Sequence, residues 1–280
     1  MDGLTNATFV HTERTQIHPS SVVAPGAELG RGVRIGPFCT VGPDVVLEDG
    51  VELKSHVVVD GHTTIGTDTK LFPFSSVGLE PQDLKYRGEP TRCVVGARNQ
   101  IREHCTIHRG TITGRGITRV GDDCMLMAAS HVAHDCIVGS HVVVANNAVM
   151  GGHVSIGDGA VIGGQAAIHQ YARIGRGAMI SGVTGVAADV VPFGFVFGNR
   201  GVLTGMNVIG LKRRGYDRAQ IHRLRAVYRL LFAGAGVFAQ RLQLVRQDHG
   251  ADALIAELLE FITTPSDRGL IQASLVGDVA

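Results

Sequence analysis

The sequence predicts a mainly β protein: a parallel β-helix of hexapeptide repeats with a small C-terminal α-helical domain. Three observations carry that prediction. An aliphatic residue recurs every sixth position, a small residue tends to follow it four places later, and the period turns helical near the C-terminus. The aliphatic track runs Ile17, Val23, Leu29, Ile35, Val41, Leu47, Leu53, Val59, Ile65, Leu71 and Val77, then Val95, Ile101 and Ile107. It resumes at Val120 and continues through Leu126, Val132, Val138, Val144, Met150, Ile156, Ile162, Ile168, Ile174, Ile180 and Val186. All 26 positions are Ile, Leu or Val except Met150, which marks a repeat architecture.

The two tracks make a triangular coil. Each hexapeptide supplies one short strand and one corner, and three of them close a turn of 18 residues. The aliphatic and the small residue (Ser21, Ala27, Cys39, Ala148, Ala160, Ala166 and Ala172 among them) point inward, because a narrow prism cannot hold two large side chains per face. Asn99 and Pro81 interrupt the small track. Gly often follows the aliphatic, as at Gly36, Gly42, Gly66 and Gly175, where it is expected to permit a tight corner. Coils should stack at about 4.8 Å, which sets residues 18 apart above one another. The pattern resembles the hexapeptide-repeat, left-handed β-helix family over about residues 17–191. Residues 1–16 are then an N-terminal extension, and 192–280 the helical domain.

Composition agrees. There are 38 glycines, 5% aromatics and no Trp, unlike a core built on large aromatic rings. With 26 basic and 25 acidic residues, bulk charge does not suggest nucleic acid. No run of about 18 apolar residues predicts a membrane span. The N-terminus lacks a signal-peptide pattern, so a cytoplasmic location is expected. Five cysteines suit reduced thiols. Cys39, Cys105, Cys124 and Cys136 fall on the inward track as core fillers.

Two segments break the period. Residues 78–94 form a polar loop expected to replace about one coil, and 113–119 add seven residues beyond the period. Where the repeat is most regular, histidines gather: His131, His134, His141, His153 and His169. Stacking puts His134 over Gly152 and Gly152 over Gln170, with His153 and His169 one residue off that column. None of the histidines between 17 and 191 lies on an inward track, so all are expected outside. The cluster suits a general base, His134 with Asp135 beside it, and the Gly152 N–H as oxyanion donor. Zinc is the alternative, but HVAHDC followed by GGH does not match the ligand spacing of β-helical carbonic anhydrases, and no metal is expected.

After Val186–Pro192 the pattern becomes helical. A first helix is predicted from about Asp217, with Ile221, Leu224, Val227, Tyr228, Leu230 and Leu231 as its apolar stripe, and further helices over 236–248 and 251–263. Between Lys212 and Arg246 stand nine Lys/Arg against Asp217 alone, a basic face suited to an acidic partner or a phosphate-bearing ligand.

Taken in order, PQDLKYRGEP (81–90), HVAHDC (131–136), GGH (151–153), AIHQ (167–170), GN (198–199), MNVIGLKRRGY (206–216) and SDRGLI (266–271) resemble one family. It is the bacterial acyl-carrier-protein–UDP-N-acetylglucosamine O-acyltransferases of lipid A synthesis. The resemblance implies transfer of a (3-hydroxy)acyl group to the sugar 3-hydroxyl, with His134 as general base, Asp135 beside it and Gly152 N–H at the oxyanion. It implies that Gln82, Asp83, Lys85, His131, His153, His169 and Gln170 hold the sugar, diphosphate and acyl-pantetheine groups. Asn207, Arg213 and Arg214 would meet the nucleotide, and Gly182 would be the acyl-length ruler. No resident cofactor is implied, since 4'-phosphopantetheine arrives on the acyl carrier protein. That protein is the implied partner of the basic helices, and the family is a homotrimer with sites between neighbouring prisms. Ile209 and Arg200 depart from some members at nucleotide-contact positions. The related glucosamine N-acyltransferase, which usually has a separate N-terminal domain, and a non-catalytic hexapeptide scaffold remain as competing readings.

Overall fold

The computed structural model describes residues 14–274, so most of the expected extension 1–16 lies outside the described residues. The aliphatic track becomes 26 short strands, β1 (Gln16–Ile17) to β26 (Gly185–Val186), each ending on or carrying its track residue. Strands are dealt in rotation to three parallel sheets. The first face takes β1, β4, β7 and so on, the second β2, β5, β8, and the third β3, β6, β9. Registers are regular: Val132 pairs with Met150 and Met150 with Ile168, each step one full coil. The track side chains are buried from Ile35 upward, and the core is one continuous column. All five cysteines are free and buried in it. Asn99 is inside too, fully buried, its amide donating to Gly96 O and Gly121 O and accepting from Cys124 N–H.

The glycine after the track residue has a different reason from the expected one. Gly36 is not left-handed; a Cβ there would come within 2.0 Å of Lys54 O in the coil above. The left-handed residue comes two places later and is often not glycine, as at Phe38 (φ 58°) and Asp68 (φ 57°). Glycine is needed for the close approach of the next coil, and the turn itself is left to other residues.

Both breaks in the period are insertions. Val95 of β12 (Arg92–Val95) pairs with Ile65 of β9 (His62–Ile65), where a regular coil would bring Asp83 to that place. The long loop therefore adds the length of two hexapeptides at one corner, between β11 (Ser76–Leu79) and β12, and does not replace a coil. The second excursion joins β14 (Thr106–His108) to β15 (Ile117–Val120). There Val95 pairs with Val120 where a regular coil would bring Thr113, the expected surplus of seven. Both leave the edge between the second and third faces.

The sheet does not stop at 191. β27 (Gly194–Phe197) extends the first face beyond β25 (Met179–Ile180), and β28 (Val202–Met206) pairs antiparallel to it. The helical region thus begins at α1 (Val208–Arg213), which the sequence did not announce. It continues with α2 (Arg218–Ala233), α3 (Phe238–His249) and α4 (Ala253–Thr263), within two residues of the expected bounds. An Asp217/Gln220 capping box starts α2, and its buried stripe includes Ile221, Leu224, Val227, Tyr228 and Leu231. Arg176 pairs with Glu257 and lies over the Phe193 ring, and Arg173 pairs with Asp189 and donates to Phe261 O. These contacts bolt the helices to the last coils. No helix among the described residues is long and apolar enough to cross a membrane.

Candidate active site

The second–third edge gathers the expected catalytic residues. Because β17 (His131–Val132), β20 (Val149–Met150) and β23 (Ala167–Ile168) stack in register, the corners after them superpose His134, Gly152 and Gln170. The fit at Gly152 is close: a Cβ there would fall 2.5 Å from His134 Cε1 and 2.7 Å from Nε2. Only glycine admits the ring so near the backbone. Among the described residues the Gly152 N–H has no acceptor, while its carbonyl accepts from Tyr171 N–H.

Asp135 takes a left-handed conformation (φ 60°) and is fully buried. Its Oδ2 lies 2.9 Å from His134 Nδ1. A carboxylate only accepts, so Nδ1 is the protonated nitrogen and Nε2 keeps its lone pair. Burial raises the affinity of Asp135 for a proton, but hydrogen bonds from His134 and Thr111 outweigh it and hold the carboxyl at about 2. The dyad therefore carries a permanent negative charge behind an imidazole whose side chain is 14% exposed.

Other histidines surround the pair. His153 meets His134 edge-on at 5.1 Å and stacks on Tyr171 at 4.4 Å. Its pKa is lowered, by burial first, with Asp135 pulling the other way. His131 shares a 2.6 Å hydrogen bond with Thr106 Oγ1, and burial, then the nearby His134, lowers its pKa. His169 and Gln170 are exposed at the next corner, where Arg268 of the C-terminal tail donates to Gln170 O. On the long loop, Gln82 and Lys85 are exposed, and Asp83 accepts from Lys85 N–H at 2.9 Å. The Asp83 charge is felt at His153 within the same chain.

His108 corrects the expectation that every histidine lies outside and open. It is 6% exposed, edge-on to His131 at 5.0 Å, and burial pushes its pKa down to about 4. It stands next to the inward Ile107 and off the inward track, yet it is buried.

Four expected site residues are elsewhere. Asn207 caps α1, accepting from Gly210 N–H and donating to Gly177 O at 2.9 Å. Arg214 donates to Gly159 O, and Arg213 is exposed beside it. Gly159 and Gly177 follow third-face strands and precede first-face ones, so this group marks the third–first edge. Gly182 follows β25 of the first face and precedes β26 of the second, which puts it on the remaining edge.

His134, Asp135 and His153 offer ligand atoms within 4.8 Å of one another. The carboxylate is already engaged by Thr111 and Arg115 as well as His134, so an ion would have to displace those donors.

Sequence and structure comparisons agree on the family of this chain. Residues 189–271 match the family model described as UDP-N-acetylglucosamine O-acyltransferase, domain 2, and hexapeptide-repeat models match 13–43, 26–61 and 117–152. A relative from Azorhizobium caulinodans, named acyl-(acyl-carrier-protein)–UDP-N-acetylglucosamine O-acyltransferase, is 52% identical over 92% of this chain and 95% of its own length. The chain belongs to that O-acyltransferase family. A solved O-acyltransferase from Campylobacter jejuni, 35% identical, superposes with a TM-score of 0.87 over 92% of this chain and all of its own. One from Francisella novicida, 33% identical, gives 0.89 over 92% and 94%. The coil is thus the left-handed β-helix of the O-acyltransferases, closed by their small helical region.

Proposed function

We propose that the protein transfers a (3-hydroxy)acyl group from acyl carrier protein to the 3-hydroxyl of UDP-N-acetylglucosamine, the first step of lipid A biosynthesis. The observation that carries this is the buried, ionised Asp135 on His134 Nδ1, one coil below the free N–H of Gly152. His134 Nε2 takes the proton of the sugar hydroxyl as its oxygen attacks the thioester carbonyl. Gly152 N–H stabilises the oxyanion, and collapse of the tetrahedral intermediate breaks the C–S bond. The imidazolium returns the proton to the departing pantetheine thiolate. Positioned base catalysis of this kind is worth roughly 10²–10⁴ in rate. No resident cofactor or metal is needed, since the acyl group arrives on 4'-phosphopantetheine.

Gln82, Asp83, Lys85, His131, His153, His169 and Gln170 line the His134 edge and are assigned to sugar, diphosphate and pantetheine. Asn207, Arg213 and Arg214, assigned to the nucleotide, sit on another edge and reach His134 only from a neighbouring prism. A homotrimer satisfies that requirement. Lys212, Arg213, Arg218, Arg225 and Arg246 make no ion pair among the described residues and suit the acidic carrier protein. With such substrates, the cytoplasm is the assigned location.

Incubation with 3-hydroxyacyl carrier protein and UDP-N-acetylglucosamine, beside His134→Ala, tests the reading. Transfer by the parent and a loss of at least about 10³-fold in the variant are expected. An inactive parent or a fully active variant would refute it.

A further inference from the structure

Three other corner aspartates of the prism hold one backbone N–H each. Asp49 accepts from Arg31, Asp122 from Ala97 and Asp158 from Ser140, at 2.8–2.9 Å. Asp135 is held quite differently. Thr111 donates its hydroxyl to Oδ2 at 2.7 Å and its N–H between both oxygens at 3.1 and 3.2 Å, and Arg115 N–H donates to Oδ1 at 2.8 Å. The Arg115 guanidinium bridges Asp135 O and His153 O, the carbonyls of two successive coils. At Gly114 a Cβ would lie 2.4 Å from Asp135 Oδ2 and 2.5 Å from His153 Cε1, so the segment rests directly on the pair. All these groups come from the one excursion that adds seven residues to the period.

We infer that this excursion is a clamp for the His134–Asp135 dyad, with Thr111 its principal positioning residue. The inference rests on His134 being the base and deepens that reading. The Thr111 hydroxyl binds the same oxygen that meets His134 Nδ1. With both carboxylate oxygens engaged, Asp135 cannot turn or take up a proton, and the imidazole is kept with Nδ1–H inward and Nε2 toward substrate. Hydrogen bonds to a buried carboxylate of this kind also partly neutralise it. Thr111 thereby limits how strongly Asp135 favours the imidazolium. Arg115 from the excursion, His108, His131 and His153 from the edge, and Asp83 through His153 are the other titratable or charged groups facing the pair.

The test is kcat and kcat/KM against pH, from about 5 to 9, for the parent, Thr111→Val and Thr111→Ser. Valine keeps the shape and removes the donor. We expect kcat to fall about tenfold with both KM values within about twofold, and the acid limb to move up by about half a unit to one unit. Serine should restore both to within about twofold. An unmoved limb in Thr111→Val, or equal loss in both variants at every pH, overturns the clamp. Should the valine variant not fold, ¹⁵N-histidine spectra of the parent decide: the clamp requires His134 protonated on Nδ1 and bare on Nε2 above the limb, and the opposite tautomer refutes it. An inactive parent would sink the acyl-transfer reading alone, since the tautomer is read without substrate.

Discussion

His108 shows what a single covered side chain does to the whole molecule. It is 6% exposed, and its Nδ1 has no hydrogen-bond partner among the described residues. Burial, then the neighbouring His131 and His134, bring its pKa to about 4, against about 6.5 in an unfolded chain. A folded-state pKa below the unfolded one means that the unfolded chain binds the proton first. The neutral imidazole's contribution is present above about pH 6.5 and is lost as pH falls toward 4, by about 3 kcal/mol at most. The melting temperature of the parent should therefore drop between pH 7 and 4.5 more steeply than that of His108→Phe, and parallel curves would refute this. Asp135 acts in the same direction but lower, between about pH 4 and 2, because its folded pKa is also depressed.

The resemblance makes Gly182 the acyl-length ruler, and Gly182 stands on an edge. On the first face the outward residue of each strand changes from polar (Gln16, Arg34, Glu52, Lys70, Gln100) to apolar (Met125, Val143, Val161, Met179). This apolar stripe passes Gly182 and runs on to Phe195 of β27; at Gly182 a Cβ would stand 3.2 Å from Gly164 O and a longer side chain must project outward. Gly182→Met should thus shift preference toward a shorter acyl chain with the fold intact. Competition between 3-hydroxyacyl carriers of different length reads it, and an unchanged preference would remove Gly182 from the groove. At α1 the role of Asn207 is double: Asn207→Ala should cost about 1–2 kcal/mol as a lost cap, seen in thermal melting, besides any effect on nucleotide KM. No change in melting would show the cap to be idle.

At the scale of the whole molecule, the residues assigned to one reaction lie on three edges. His134 lies on the second–third edge, Arg214 and Asn207 touch the third–first edge, and Gly182 is on the first–second edge. A rigid prism cannot bring its own edges together. Co-expression of His134→Ala with an Arg213→Ala/Arg214→Ala double variant, each inactive alone, should restore about one quarter of parent activity if each site joins two copies, as random mixing dictates. No recovery would place the whole site within one chain. The basic surface is thinner than the sequence suggested, because Arg223 pairs with Asp252 and Arg241 is spent on Leu231 O and Gly236 O. Substitution of Arg218 or Arg225 should consequently raise KM for the acyl carrier more than that for the nucleotide sugar.

The six-residue period determined the prism, its inward cysteines and the stack of His134, Gly152 and Gln170, since each follows from a register that repeats locally. The helices after Asp217 were equally legible from their apolar stripe. What the sequence could not determine begins where the period breaks. Thr111, Arg115 and Gly114 act on Asp135 only because an insertion folds back onto a corner of the next coil, and no pattern in a seven-residue excursion says where it lands. The edge reached by Asn207 and Arg214 is likewise set by how α1 docks on the last coils, a matter of packing against residues 30 to 55 positions away. Local periodicity fixes what stacks; insertions and docking decide what is covered, clamped or turned toward another copy.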